Sequence, residues 1–160
     1  MTTSVNPIPE GYHSVTPSLS LKDSREAIEF YKKAFNAEVL DLMPGPDGKG
    51  TMHATIKIGN SILMMGDENP EQGCQSAESL GASPVSLCIY LPNVDEAFQR
   101  AIAAGGTETM PVTDMFWGDR CGSLTDPFGY KWWIGTHTRD LTQKEIQEGA
   151  LAAYANAGKQ

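Results

Sequence analysis

The side chains best suited to chemistry are concentrated between Asp114 and His137. This stretch contains all three tryptophans, and Cys121 and His137 add a thiol and an imidazole. It also contains the turn signal DPFG at residues 126–129, in which proline fixes φ and glycine accepts positive φ. Runs rich in aromatic and β-branched residues flank that turn, so the stretch is predicted to be a β-hairpin.

The sequence WGDR at residues 117–120 places the Trp117 ring beside an acid and a base. Arg120 could bind a carboxylate or phosphate through two parallel hydrogen bonds, or it could pair with Asp119 or Asp126 and stabilise the hairpin. The stretch 118–122 does not precede a helix, so nucleotide binding is unsupported. No serine–histidine–acid or cysteine–histidine spacing is recognisable either, so the sequence assigns no catalytic residue.

Size, charge and cysteine usage restrict the class of protein. The 160 residues suffice for one domain with a core, and the formal net charge of −8 argues against nucleic-acid binding. Three scattered cysteines without CxxC spacing are typical of a reducing compartment. The N-terminus lacks a signal-peptide pattern, and no apolar run approaches the roughly 20 residues that span a bilayer. We therefore expect a cytoplasmic protein that binds neither nucleic acid nor membrane.

The pattern of predicted elements occurs twice, with a period of about 70 residues. Helix-start signals at Asp23 and Asn93, and turn glycines at Gly59 and Gly129, are in register. The repeat predicts an α+β fold in which two paired βαβββ modules form curled mixed sheets around a cleft. The modules, expected to form one domain, span 12–68 and 84–137. A flexible arm (1–11), a linker (69–83) and a C-terminal helical extension (138–160) complete the chain.

One face of the first strand in each module carries small polar residues. Thr16 in the first module, and Ser86 and Tyr90 in the second, alternate with apolar residues that a helix should cover. Small hydroxyl residues in place of lysine and glutamate favour a partly enclosed surface. His53 is predicted on the corresponding face of another strand, where it is either part of a site or a hydrogen-bonded or exposed strand residue.

Four sequence segments together resemble the vicinal oxygen chelate superfamily: DSREAIEFYKKAFNAE, IGNSILMMGDE, FWGDR and DPFGYKWWIGTH. This superfamily includes glyoxalase I, extradiol dioxygenases, and fosfomycin- and bleomycin-resistance proteins. The pattern is most similar to the PhnB-like, glyoxalase-related subgroup, and the resemblance covers about Tyr12 to His137. It implies that each module is a curled sheet and that the two sheets together form a cleft.

Enzymes of this superfamily typically hold a divalent metal through four side chains. The resemblance places those positions at Thr16, Met64, Ser86 and Trp133, none of which is a credible ligand for a dication. His53 alone cannot form a chelate. Because these residues depart from the metal ligands of the superfamily, we expect a protein without a metal cofactor. The alternative is a protein that binds a divalent metal such as Zn, Ni or Fe.

Bulky apolar residues at two of these positions, Met64 and Trp133, would give a wall suited to a flat or cationic ligand, or would complete the core. We predict a metal-free small-molecule-binding protein of the bleomycin-resistance kind, for which the resemblance also implies a homodimer. The rival is a metal-dependent lyase, isomerase or dioxygenase resembling glyoxalase I. The ligand-binding candidates are Thr16, His53, Met64, Ser86, Tyr90, Trp117, Arg120 and Trp133.

Overall fold

A computed structural model describes residues 5–157. Residues 1–4 of the predicted arm and 158–160 of the predicted C-terminal extension lie outside this range. The elements are, in chain order, β1 (Ser18–Leu21), α1 (Ser24–Phe35), β2 (Glu38–Met43), β3 (His53–Ile58), β4 (Ser61–Asp67), α2 (Ala77–Leu80), β5 (Ser86–Tyr90), α3 (Val94–Ala103), β6 (Thr107–Asp114), β7 (Asp119–Thr125), β8 (Lys131–His137) and α4 (Gln143–Ala157).

The strands form two four-stranded sheets of the same topology. The first sheet has the order β1-β4-β3-β2, and the second has the order β5-β8-β7-β6. In each sheet the first and last strands of the module pair in parallel and the other pairs are antiparallel. This architecture confirms the α+β prediction and the two βαβββ modules. The sheets remain separate and do not close into a barrel.

The local signals of the repeat act as predicted. Asp23 and Asn93 cap α1 and α3 with nearly the same backbone conformation, φ −139° and ψ 99° against φ −140° and ψ 96°. Each side chain accepts the amide hydrogen of the residue three positions on. Gly59 and Gly129 both have positive φ at the turn before the last strand. The repeated sequence therefore forms a repeated structure.

One local prediction was wrong. The first strand begins at Ser18 and does not include Thr16, because Pro17 has no amide hydrogen with which to extend the ladder. Thr16 precedes the strand and donates its hydroxyl to the carbonyl of His13, 3.2 Å away. The segment 69–83, expected as a linker, contains a short 3₁₀ turn and α2, whose start is capped by the Ser76 hydroxyl.

One hydrophobic core joins both modules. The Trp132 ring of β8 packs against Tyr31 and Phe35 of α1, with ring centroids 5.4 and 4.8 Å apart. Within residues 5–157, no helix combines the length and apolar character needed to cross a membrane.

The DPFG turn supplies the polar centre of this core. Buried Asp126 accepts hydrogen bonds from the Tyr31 hydroxyl (2.8 Å), the Trp132 indole (2.9 Å) and the amides of Phe128 and Tyr130 (3.0 and 2.9 Å). Burial raises the pKa of Asp126 and that of Tyr31. Four donors converge on one carboxylate, so Asp126 ties α1 to the β7–β8 hairpin.

Candidate functional site

The second sheet has one face toward the helices and one open face. Alternation along β5 buries Leu87 and Ile89 partly and leaves Ser86, Cys88 and Tyr90 exposed. The same alternation places Trp133 and Gly135 of β8, and Asp119 and Cys121 of β7, on the open face.

Asp119 is the centre of a hydrogen-bond cluster on this face. One carboxylate oxygen accepts from both the Tyr90 hydroxyl (2.8 Å) and the Trp117 indole (2.9 Å). The other oxygen lies 2.7 Å from Nδ1 of His137. Asp119 is only 6% exposed. Burial acts to raise the pKa of Asp119, but the three hydrogen bonds outweigh it and lower the pKa, so the carboxylate is ionised at neutral pH.

The partners of Asp119 respond to its charge. The hydrogen bond to Asp119 is the largest cause that raises the pKa of Tyr90, to about 12, so the phenol keeps its proton. Nε2 of His137 lies 3.0 Å from Asp140 in the segment after β8. Hydrogen bonds to Asp140 and then to Asp119 raise the pKa of His137. The cluster thus connects the open face with the start of the C-terminal extension.

Two cavities have Tyr90 of this cluster in their linings. The smaller, about 80 Å³, has walls that include Tyr90, Trp117, Trp133 and Asp119. The larger, about 520 Å³, lies between β5 and the segment before β1, and its lining includes Thr16 and the turn between β3 and β4. Cys88 and Tyr90 of the edge strand β5 line both cavities.

The structure brings three of the predicted site residues together. Tyr90, Trp117 and Trp133 line the smaller cavity, and Thr16 lines the larger one. Ser86 lies apart from them, exposed and in register with Lys131 at the far end of β5.

Two predicted residues belong to the first sheet. His53 is half-buried, and its Nε2 lies 3.0 Å from the Thr55 hydroxyl, which matches the hydrogen-bonded strand alternative. Met64 is half-buried beside Ser18.

Arg120 is part of an ion-pair cluster with partners that the sequence did not indicate. Its Nε and Nη2 donate to the two oxygens of Asp95 (2.9 and 2.7 Å), and Nη1 donates to Asp114 (3.3 Å). The predicted pairing with Asp119 or Asp126 was wrong. Neighbouring side chains on a strand point to opposite faces, which separates Arg120 from Asp119, and Asp126 is enclosed in the core.

Sequence reasoning did not include Asp119 or His137 among the site residues. They are direct partners in the β7–β8 pair, and Phe128 of the turn lies midway between them in sequence. A hairpin register counted outward from the DPFG turn would have found this pair. Contacts with Tyr90 and Trp117 required the three-dimensional structure.

The residues at the superfamily's metal positions do not fit a divalent cation. The strand register places Ser18 beside Met64 and Cys88 beside Trp133, in place of the predicted Thr16 and Ser86. A thioether, a hydroxyl and an indole are poor ligands for a dication, which leaves the Cys88 thiol as the single favourable donor of this set. Among residues 5–157, no three His, Cys, Asp or Glu side chains are grouped closely enough to hold a metal ion.

Comparisons with known proteins agree with this fold. The profile of the Glyoxalase/Bleomycin resistance protein/Dioxygenase superfamily matches residues 13–134. Uncharacterized protein Mb0911c of Mycobacterium bovis is 39% identical over 137 residues, which cover 84% of this chain and 90% of that protein. Uncharacterized protein Rv0887c of Mycobacterium tuberculosis is also 39% identical over 137 residues, with 84% and 80% covered.

Solved structures share the architecture at low sequence identity. TioX from Micromonospora sp. ML1 has a TM-score of 0.62 at 23% identity, covering 81% of this chain and all of TioX. PA1353 from Pseudomonas aeruginosa has a TM-score of 0.63 at 23% identity, with 79% and 99% covered. The PhnB protein from Bacillus cereus has a TM-score of 0.60 at 19% identity, with 78% and 99% covered. These likenesses show that the chain shares its fold with the three proteins, one of which is a PhnB protein.

Proposed function

Because the chain belongs to the glyoxalase/bleomycin resistance protein/dioxygenase superfamily, we propose that it is a small-molecule-binding member that works without a metal. The observation that carries the proposal is the strand register, which pairs Ser18 with Met64 and Cys88 with Trp133, so that neither pair supplies two side chains able to chelate a dication. What these positions offer instead is contact surface for an organic ligand.

The size and lining of the cavities support binding. A volume of about 520 Å³ lies within the range of about 300–1,000 Å³ typical of small-molecule sites. Next to it, Trp133 is 36% exposed and Tyr90 is 61% exposed, so two aromatic rings are available for contact. Aromatic rings contribute large apolar area in a defined orientation, which suits a flat ligand.

A thermal-shift screen of small molecules on the wild type and on Trp133→Ala tests the proposal. We expect at least one compound class to raise the melting temperature of the wild type and to raise that of Trp133→Ala less. Tyr154→Ala is the matched control, because Tyr154 is an aromatic residue on α4 that is 75% exposed. A screen in which no compound class stabilises any of the three proteins would contradict binding.

Metal analysis of the purified protein distinguishes the proposal from a metal-dependent lyase, isomerase or dioxygenase. We expect substoichiometric Ni, Zn and Fe and no effect of chelators on ligand binding. Near-stoichiometric metal that is lost together with an activity would favour the enzyme.

A homodimer and a cytoplasmic location are part of the proposal. The edge strand β2 exposes Val39, Leu40 and Met43 by 40, 47 and 45%, and an edge strand with exposed apolar side chains is a typical site of pairing with a second chain. Light scattering should give twice the chain mass of 17.3 kDa, and a monomer at all concentrations would contradict the dimer. The three unpaired cysteines suit a reducing compartment, and fractionation of cells would test that location.

A further inference from the structure

The smaller cavity has an unusual combination of walls. Three aromatic side chains, Tyr90, Trp117 and Trp133, line it together with the Asp119 carboxylate. Aromatic faces carry negative electrostatic potential, and an ionised carboxylate adds to it. The cavity therefore has a field that attracts cations.

The aromatic walls are fixed before any ligand arrives. Tyr90 and Trp117 donate to the same oxygen of Asp119, which holds their polar edges together. Behind Trp117, the Phe116 ring packs edge-on at a centroid distance of 4.9 Å. A side chain at Gly149 of α4 would come within 3.0 Å of Phe116, so α4 lies directly against this support. A preformed site of this kind loses little entropy when it binds.

The polar groups of the walls are already committed. The Tyr90 hydroxyl and the Trp117 indole direct their hydrogens at Asp119, so neither hydrogen is available to an anionic or carbonyl ligand. Asp119 already receives hydrogen bonds on both oxygens. Three donors already share the Asp119 carboxylate, which leaves about one acceptor site, too few for the three donors of a primary ammonium or the five of a guanidinium. A methylated ammonium carries charge without requiring hydrogen bonds.

We propose that the cavity formed by Tyr90, Trp117, Trp133 and Asp119 binds a methylated ammonium group of the ligand. Its volume of about 80 Å³ equals the room of two or three water molecules at roughly 30 Å³ each, which is the scale of a trimethylammonium head. The inference rests on the proposed small-molecule binding and specifies the charged part of the ligand. The remainder of the ligand would extend past Cys88 and Tyr90 into the larger cavity.

Choline and its neutral isostere 3,3-dimethylbutan-1-ol test the proposal, since they share shape and hydroxyl and differ in charge. Each is titrated into the wild type at constant ionic strength, and the indole N–H resonances of Trp117 and Trp133 are followed by NMR. We expect saturable shifts with choline and at least about fivefold weaker binding of the isostere, because the cation–aromatic attraction is absent. Equal affinity for the two compounds, or no saturation with choline up to solubility, would overturn the proposal.

Variants locate the binding. Trp133→Leu, a change at a position that is 36% exposed, should abolish the choline shift of Trp117. Asp119→Asn should weaken choline binding several-fold and leave the isostere unchanged. Tyr154→Leu should bind choline as the wild type does. Unchanged choline binding in Trp133→Leu would sink the proposal even if Asp119→Asn fails to fold.

The outcome also separates this proposal from the broader one. If uncharged aromatic compounds stabilise the wild type in the thermal-shift screen while choline does not bind, the methylated-ammonium site fails and small-molecule binding stands. If neither choline nor any screened compound binds, both fail.

Discussion

The two modules have the same strand order and helix starts but different open faces. The first sheet presents Ser18 and Met64 at the pair of positions where the second presents Cys88 and Trp133. In the second sheet, Asp119 is also hydrogen-bonded to Tyr90, Trp117 and His137. The same scaffold thus supports a sparse polar face in one half and an aromatic, acidic cluster in the other.

On the helix side, the two modules achieve the same result with different residues. The Asp67 carboxylate accepts the amide hydrogen of Ser24 at the start of α1, and the Thr136 hydroxyl accepts that of Val94 at the start of α3, both at 2.9 Å. A side chain from the last strand thus anchors the helix start in each half. The face of each sheet that packs against the helices therefore keeps the same kind of contact in both modules, whereas the side chains on the open face differ and can form a binding site in one module alone.

The turn before the last strand differs between the modules, and Asp126→Ala tests how much the buried carboxylate contributes to stability. Removal of this carboxylate leaves four buried donors without their acceptor. We expect the free energy of unfolding to fall by roughly 3–5 kcal/mol, measured by urea denaturation. The control is Asn60→Ala in the exposed Gly59-Asn60 turn of the first module, which should change stability little. Comparable losses in the two variants would show that the turns are equivalent after all.

Gly122→Ala and Gly135→Ala compare how tightly the two faces of the second sheet are packed, since Gly122 faces the core and Gly135 faces the open side. A methyl group at Gly122 would lie 2.9 Å from the Phe98 ring and 3.0 Å from Val112, whereas one at Gly135 would meet its nearest neighbours at 3.5 Å. We expect the first change to cost about 1–3 kcal/mol through overpacking and the second to be nearly neutral. Thermal denaturation measures both. A loss at Gly135 as large as that at Gly122 would mean that the open face is packed as tightly as the core.

His137 gives the second module a pH dependence. Its folded-state pKa is raised by Asp140 and Asp119 above the unfolded value of about 6.5. Its contribution to stability is therefore complete below about pH 6.5 and is lost as the pH rises through the folded pKa. The lowered pKa of Asp119 acts in a separate window, at acidic pH, where protonation of the carboxylate removes its contribution.

The wild type should exceed His137→Gln in stability more at about pH 5.5 than at about pH 8.5, as measured by urea denaturation. Tyr90, Asp119 and Asp140 are the titratable groups bonded into this cluster. Asp140→Asn, which removes the largest cause of the raised pKa, should reduce the difference between the two pH values. A difference that grows toward high pH would contradict the assigned contacts.

The sequence predicts most of the fold because its signals are local. The caps at Asp23 and Asn93 and the DPFG turn each act within a few residues, so the element order and the repeat follow from them. The site is less predictable, because Tyr90 and Asp119 are 29 residues apart and meet only through the parallel register of β5 and β8. No local signal sets that register. Thr16 shows that a local signal can also mislead. The alternation of polar and apolar residues extends across Pro17 to Thr16, but the hydrogen-bonded strand begins only at Ser18.

Arg120 and Asp119 are neighbours in sequence, but their side chains lie on opposite faces of the second sheet. Arg120→Met tests this difference between the faces, and its expected effect is the smallest of those predicted. Its fork on Asp95 lowers the pKa of that carboxyl group and links β7 to the start of α3, but the two side chains remain 33 and 51% exposed. Exposed ion pairs contribute little and are screened by salt. We therefore expect a melting temperature slightly below that of the wild type, with the difference disappearing in 1 M NaCl.

Lys32→Met, which removes the exposed pair with Glu29 on α1, is the matched control and should behave similarly. Choline and screened ligands should bind Arg120→Met as they bind the wild type, because the guanidinium lies away from the face that carries Asp119. Loss of ligand binding in Arg120→Met would instead make Arg120 an anion clamp, and the charge that selects the ligand would then be positive rather than negative.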